Sequence, residues 1–191
     1  MKRIALFASG NGSNAEKIML HFNKHKDIFV ALVVASKPDA FVIIRAQNHS
    51  IPSLVLDKNE FTKTEKLLTE LHKHQIDFIV LAGFLWLIPQ YLIRAFQKSI
   101  INIHPALLPK YGGKGMYGMN IHRSVINAKE MESGITIHYV NEEYDDGEII
   151  IQKTCAIDTN ETPDTLAKKI QSLEHEHFPI VIESLLVPNK S

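Results

Sequence analysis

The chain has 191 residues, in which 21 lysines and arginines balance 21 aspartates and glutamates, with ten histidines left uncounted. That length suits one domain, residues 1–191, with a substantial core, and 45% apolar with 22% charged residues excludes a disordered chain or a fibre. Zero formal net charge argues against a broad nucleic-acid or membrane footprint but leaves room for a local anion site.

At the N-terminus, Met1-Lys2-Arg3 precedes a short apolar run that ends at Ala8, and Asn11 and Asn14 follow soon after. A secretory signal core needs about 7–15 apolar residues, so no targeting segment is expected. The longest apolar run, from Phe78 to Pro89, contains Gly83 and falls short of the roughly 20 residues of a membrane span. Cys155 is the single cysteine and has no partner for an intramolecular disulfide, which fits a reducing, cytoplasmic location.

Along the first half, short apolar runs at residues 4–8, 29–35, 53–56 and 78–82 alternate with amphipathic stretches at 14–25, 39–49 and 60–74. Strands that are apolar throughout belong to a sheet covered on both faces, because a half-exposed strand would alternate. Strands separated by helices read as βαβ units with right-handed crossovers. The expected fold is therefore α/β: a Rossmann-like, mostly parallel sheet flanked by helices. Residues 100–103 predict a further strand, ended by His104-Pro105, and Gly112, Gly113, Gly115 and Gly118 mark an irregular loop. Residues 134–140 and 148–155 read as two strands joined by an acidic turn, an antiparallel portion in the C-terminal half. A last helix begins near Glu161-Thr162-Pro163 and extends to about Leu186, with a kink or break expected at Pro179.

Ligands of open α/β sheets sit beyond the carboxyl ends of the strands, so the residues just after each strand are the candidates. After the first strand comes Ser9-Gly10-Asn11-Gly12-Ser13-Asn14. Its glycines permit a tight turn, and a following helix N-terminus offers unpaired N–H groups to an anion, with Ser13 or Asn14 as a possible cap. It matches neither a dinucleotide fingerprint nor a Walker A loop, and it equally allows an ordinary strand–helix turn.

Asn102-Ile103-His104-Pro105 ends the fifth apolar strand, and residues two apart in a strand face the same way. An amide and an imidazole side by side can bind an oxyanion and exchange a proton, or simply close a strand with two hydrogen-bonded polar groups. The turn Asn141-Glu142-Glu143-Tyr144-Asp145-Asp146-Gly147 reads first as solvated loop, and its spacing is not that of a calcium-binding loop. Glu174-His175-Glu176-His177 resembles a metal ligand set only superficially: it lacks the His-Glu-x-x-His arrangement, and no metal is expected. His21, His25, His49, His72 and His74 fall on expected helix surfaces and read as solvated. Phe84 and Trp86 read first as core, and their position just after a strand also allows a ligand platform.

Taken in order, these elements resemble the phosphoribosylglycinamide formyltransferases, folate-dependent enzymes of purine synthesis. The resemblance runs over nearly the whole chain. It is carried by the Ser9 to Asn14 turn, Leu81-Ala82-Gly83-Phe84, Asn102-Ile103-His104-Pro105-Ala106-Leu107-Leu108-Pro109, His138-Tyr139-Val140, Tyr144-Asp145-Asp146-Gly147 and the segment from Gln171 to His175. It implies formyl transfer from 10-formyltetrahydrofolate to the amine of phosphoribosylglycinamide, without a metal, in a monomer or homodimer. Asn102, His104 and Asp145 would then be catalytic. Asn11, Gly12, Ser13, Asn14 and Glu174 would hold the acceptor substrate; Leu85, Trp86, Leu87, Ile88 and Asn102 would hold the folate. A formyltetrahydrofolate hydrolase, another folate-dependent formyltransferase and a silent folate- or nucleotide-binding module are the alternatives. The chain departs from the family pattern at Trp86, where an Arg is common, at Asp146, where a Gly is common, and in the long glycine-rich loop at residues 111–119. Lys63 and Lys66 are the candidates for a basic folate contact.

Overall fold

In a computed structural model that describes residues 1–187, every apolar run of the first half becomes a strand. The strands are β1 (Lys2–Ala8), β2 (Ile28–Ala35), β3 (Ser53–Val55), β4 (Phe78–Leu81), β5 (Ile100–His104), β6 (Glu132–Tyr139) and β7 (Ile149–Ala156). They form one seven-stranded sheet in the order β3-β2-β1-β4-β5-β6-β7. Pairing is parallel from β3 through β5 and antiparallel at β5–β6 and β6–β7. The expected architecture, parallel with an antiparallel C-terminal portion, is the one found. The last four residues of the expected 1–191 domain lie outside the described residues.

The helices are α1 (Ser13–Phe22), α2 (Val42–Asn48), α3 (Lys58–Lys63), α4 (Lys66–Lys73), α5 (Gln90–Ala95), α6 (Met119–Asn127) and α7 (Pro163–Leu186). Alternate side chains of the central strands serve opposite faces. Ile4 and Leu6 enter a core with α1, α2, α6 and α7, whereas Ala5 and Phe7 enter one with α3, α4 and α5. Two-sided burial is what makes β1 and β4 read as unbroken apolar runs.

Three expectations need correction. The stretch at 60–74 is two helices, because Thr64 adopts extended backbone and its hydroxyl accepts from Lys66 N–H at 3.4 Å, restarting the chain as α4. Helix α7 runs unbroken through Pro179: Phe178, Pro179, Val181 and Ile182 are all buried, and that packing outweighs the hydrogen bond proline forgoes. His25 is not a solvated helix residue; its Nδ1 accepts the N–H groups of Asp27 and Ile28 at 3.1 and 3.0 Å, closing the turn into β2. His21 also has a partner, Glu183, at 2.6 Å. Helices α5 and α6 have no clear counterpart in the sequence pattern. Among the described residues no helix is long and apolar enough to cross a membrane.

Candidate active site

The strand order reverses between β1 and β4, and the two chains leave that point in opposite directions. Ser9 at the end of β1 donates its N–H to Gly83 O at 3.0 Å, and its hydroxyl accepts from Leu85 N–H at 3.0 Å. A cavity of about 470 Å³ opens here, beyond the carboxyl ends of β1, β4 and β5. Asn14, Leu85, Asn102, His104, Asp145 and Glu174 all line it, together with Gly113 to Gly118 of the glycine-rich loop.

Asn102 and His104 lie on one face of β5, and the antiparallel register sets them opposite His138 and Thr136 of β6. The turn after β6 then returns Asp145 to the same place. His104 Nδ1 is 3.4 Å from Asp145 Oδ1, and His104 Nε2 is 2.8 Å from the carbonyl oxygen of Tyr111. Nε2 thus faces a carbonyl acceptor at hydrogen-bond distance, while Nδ1 faces the carboxylate at a longer range. Gly113 N–H donates to the second Asp145 oxygen at 3.0 Å. Burial alone would push the Asp145 carboxyl upward; hydrogen bonding and attraction to His104, the Gly113 N–H and nearby His138 outweigh it and hold the carboxyl below its ordinary range.

His138 has no assigned role in the sequence reading, yet it is central. Its Nδ1 is 2.9 Å from the carbonyl oxygen of Tyr139, and its Nε2 is 3.1 Å from Asn102 Nδ2. The ring must therefore donate from Nδ1 and accept at Nε2, the arrangement of a neutral imidazole. Burial pushes its basicity down, which keeps it so. One hydrogen of the Asn102 amide goes to His138, and the other points toward Asp145 Oδ1 at 3.4 Å. Thr136 is the other feature missed. Its hydroxyl donates to Ala106 O at 2.7 Å and accepts from Leu108 N–H at 3.0 Å, pinning the chain just after His104. Sequence could have revealed both only through the β5–β6 register.

The turn from Ser9 to Asn14 divides its residues. Gly12 is the N-cap of α1 with φ 73°, and no side chain caps the helix, so neither Ser13 nor Asn14 is the cap expected. A side chain at Gly12 would also meet Val42 Cβ at 2.5 Å. Of the four acceptor-site candidates here, only Asn14 lines the cavity. Its Nδ2 donates to Glu174 Oε2 at 2.9 Å, while its Oδ1 is buried without a partner among the described residues. Ser13 accepts from Gln171 at 3.2 Å, and Asn11 faces α2. Burial pushes the Glu174 carboxyl up, more than Asn14 and His104 pull it down.

The folate candidates also split. Leu85 lines the main cavity, whereas Trp86, Leu87 and Ile88 line a smaller adjoining depression that shares Asn102 and Asp145 with it. Trp86 stacks obliquely on Phe61 at 5.5 Å, edge-on to Phe84 at 5.9 Å, and carries Lys58 over its ring at 5.8 Å. It is thus both a packing residue and a wall, and Lys58, rather than Lys63 or Lys66, is the cation beside it. At the other departure, Asp146 has no left-handed backbone; the left-handed residue is Asp145 itself, at φ 55°, so the usual glycine is not required. Among the described residues no group of three or more His, Cys, Asp or Glu side chains could hold a metal ion. Glu174 bonds to Asn14, and His177 lies 3.9 Å from Glu176.

Residues 2–182 match the family model described as formyl transferase. The chain belongs to the formyl transferase family. A phosphoribosylglycinamide formyltransferase of Bacillus subtilis (strain 168) is 40% identical over 191 residues, covering 97% of this chain and 95% of the relative. The chloroplastic phosphoribosylglycinamide formyltransferase of Arabidopsis thaliana is 40% identical over 96% of this chain, which spans 65% of that protein's length. Among solved structures, the phosphoribosylglycinamide formyltransferase of Bacillus halodurans superposes with a TM-score of 0.87 at 38% identity, over 98% of this chain and 96% of its own. The sheet order and the cavity described above are therefore those of a formyl transferase family member.

Proposed function

We propose that this protein transfers the formyl group of 10-formyltetrahydrofolate to the amine of phosphoribosylglycinamide. The observation that carries this is the meeting of Asn102, His104 and Asp145 at one cavity that Asn14 and Glu174 also line, in a chain of this family. The acceptor amine attacks the formyl carbon, a carbon–nitrogen bond forms, and the formyl oxygen becomes an oxyanion. The bond from that carbon to folate N10 then breaks as N10 takes a proton. Orientation and oxyanion stabilisation are the main requirements of such a step.

In this scheme the Asn102 hydrogen that points toward Asp145 turns to the forming oxyanion, which His104 also stabilises. Asp145 holds the His104 imidazole in place and assists in moving the amine's proton. His138 fixes which way Asn102 points. The unpartnered Asn14 Oδ1 and the Glu174 carboxyl offer acceptors to the donors of the ribosyl group or the amine. Gly12, Ser13 and Asn11 present the start of α1 to the phosphate, while Leu85, Trp86, Leu87 and Ile88 border the folate ring. The family resemblance suits a monomer or a homodimer, and the free Cys155 fits a reducing compartment such as the cytoplasm.

Replacing His104 by Ala tests the scheme. Turnover should fall by about 100-fold or more with the melting temperature near that of the parent. Near-parental turnover would remove His104 from the mechanism.

A further inference from the structure

The turn between β1 and α1 is gripped from outside by α2. Val42 N–H donates to Gly10 O at 3.2 Å, and Gly12 packs against the Val42 side chain. One turn further along α2, Arg45 reaches back over the same loop. Its Nε donates to the carbonyl oxygen of Asn11 at 2.9 Å, and its Nη2 donates to the side-chain oxygen of Asn11 at 2.9 Å. Its Nη1 pairs with Glu16 in the first turn of α1, and the guanidinium lies 5.0 Å from the centre of the Phe41 ring. The Arg45 side chain is only 17% exposed.

Each guanidinium nitrogen is thus directed at the protein and none at the cavity. The planar fork ties the loop residue Asn11 to the helix residue Glu16, and a lysine ammonium lacks the geometry to span both. Meanwhile Gly12 O accepts the first α1 hydrogen bond, from Glu16 N–H at 2.9 Å, so the end of the loop and the start of the helix are joined, and the first N–H groups of α1 have no partner within the helix. We propose that Arg45 is a positioning residue for the phosphate end of the acceptor: through Asn11 and Glu16 it fixes the conformation in which the turn and the start of α1 receive the anion. This rests on the assignment of that turn to phosphate under the proposed function.

The test compares the intact protein with Arg45→Lys and Arg45→Gln. Both variants should raise the KM for phosphoribosylglycinamide about tenfold or more, with kcat and the KM for 10-formyltetrahydrofolate within about twofold of the parent. The dephosphorylated acceptor should be used equally by all three proteins, which a general loss of structure would not produce. Calorimetric titration with ribose 5-phosphate reads the same grip without formyl transfer: the parent should bind and Arg45→Lys should bind about tenfold more weakly. A parent that fails to turn over phosphoribosylglycinamide would sink the reaction assigned above, and the titration would still decide Arg45. An unchanged acceptor KM, an equal loss for the dephosphorylated acceptor, rescue by Lys, or ribose 5-phosphate binding that is absent in the parent or equal in the variants would overturn the proposal.

Discussion

Asp145 places one carboxylate oxygen 3.4 Å from His104 Nδ1 and the other 3.0 Å from the N–H of Gly113, so the loop and the imidazole share one anchor. Its own backbone is left-handed, at φ 55°, a region that Asn tolerates better than most side chains. Asp145→Asn therefore keeps the turn and removes the charge. Its kcat should fall about 100- to 10,000-fold while the melting temperature moves little, measured by steady-state kinetics and thermal denaturation. A drop of less than tenfold would separate Asp145 from catalysis.

Glu174 is expected to trade stability for binding. Its folded carboxyl is raised above the ordinary value of 4.5, first by burial, so folding favours the protonated form. Stability from this group is complete below the unfolded value and declines as pH rises through the folded one. Glu174→Gln keeps an oxygen for Asn14 and has no charge to bury. Its stability advantage over the parent should grow as pH rises above about 4.5 and then level off, with a higher acceptor KM. Denaturant melts from pH 4 to 8 check the first expectation, and acceptor titrations check the second.

Acid should weaken the fold through histidines held neutral by full or partial burial. His122, His138 and His175 all have folded basicity pushed below the ordinary imidazole value of 6.5, in each case first by burial. The unfolded chain binds protons there first, so stability falls as pH drops below about 6.5. For Asp145 the sign is similar but the window lower: its depressed carboxyl contributes fully above about 4 and loses that contribution on further acidification. Melting temperature should thus decline from pH 7 to 5. His138→Gln should flatten part of that decline and lower kcat about tenfold or more by freeing the Asn102 amide. An equally steep decline in that variant would assign the acid sensitivity elsewhere.

Gly147 tests the turn that delivers Asp145. A Cβ there would lie 1.7 Å from the carbonyl oxygen of Tyr139, a backbone atom that cannot swing aside as a side-chain tip would. Gly147→Ala should cost about 1–3 kcal/mol or more, lowering the melting temperature by roughly 2–4 °C per kcal/mol. Activity should fall with it, because Tyr139 and Asp145 flank the same turn. A neutral Gly147→Ala would mean the turn relaxes freely.

Much of the scaffold is legible because burial on both faces leaves a local mark: the runs that became β1, β2 and β4 are apolar without alternation. Asn102 and His104 are legible as a pair for a similar reason, since strand geometry alone puts them on one face. Helix α6 is not, because its buried Ile121, His122 and Val125 are embedded among polar, weakly helix-forming neighbours after a run of glycines. Asp145 belongs to the site only because β6 returns antiparallel along β5 and the chain then turns left-handed, both non-local events. Resemblance to known formyltransferases supplied what spacing could not. The Arg45 grip on Asn11 joins α2 to a loop far back in the sequence, and its residues carry no motif of their own.

The most direct measurement mixes purified protein with 10-formyltetrahydrofolate and follows formation of the deformylated folate with and without phosphoribosylglycinamide. Formyl transfer predicts turnover that depends on the acceptor, yields one formylated acceptor per folate consumed, and collapses in the Asp145→Asn and His104→Ala variants. Equal folate loss without acceptor, or none in its presence, would contradict the assigned function.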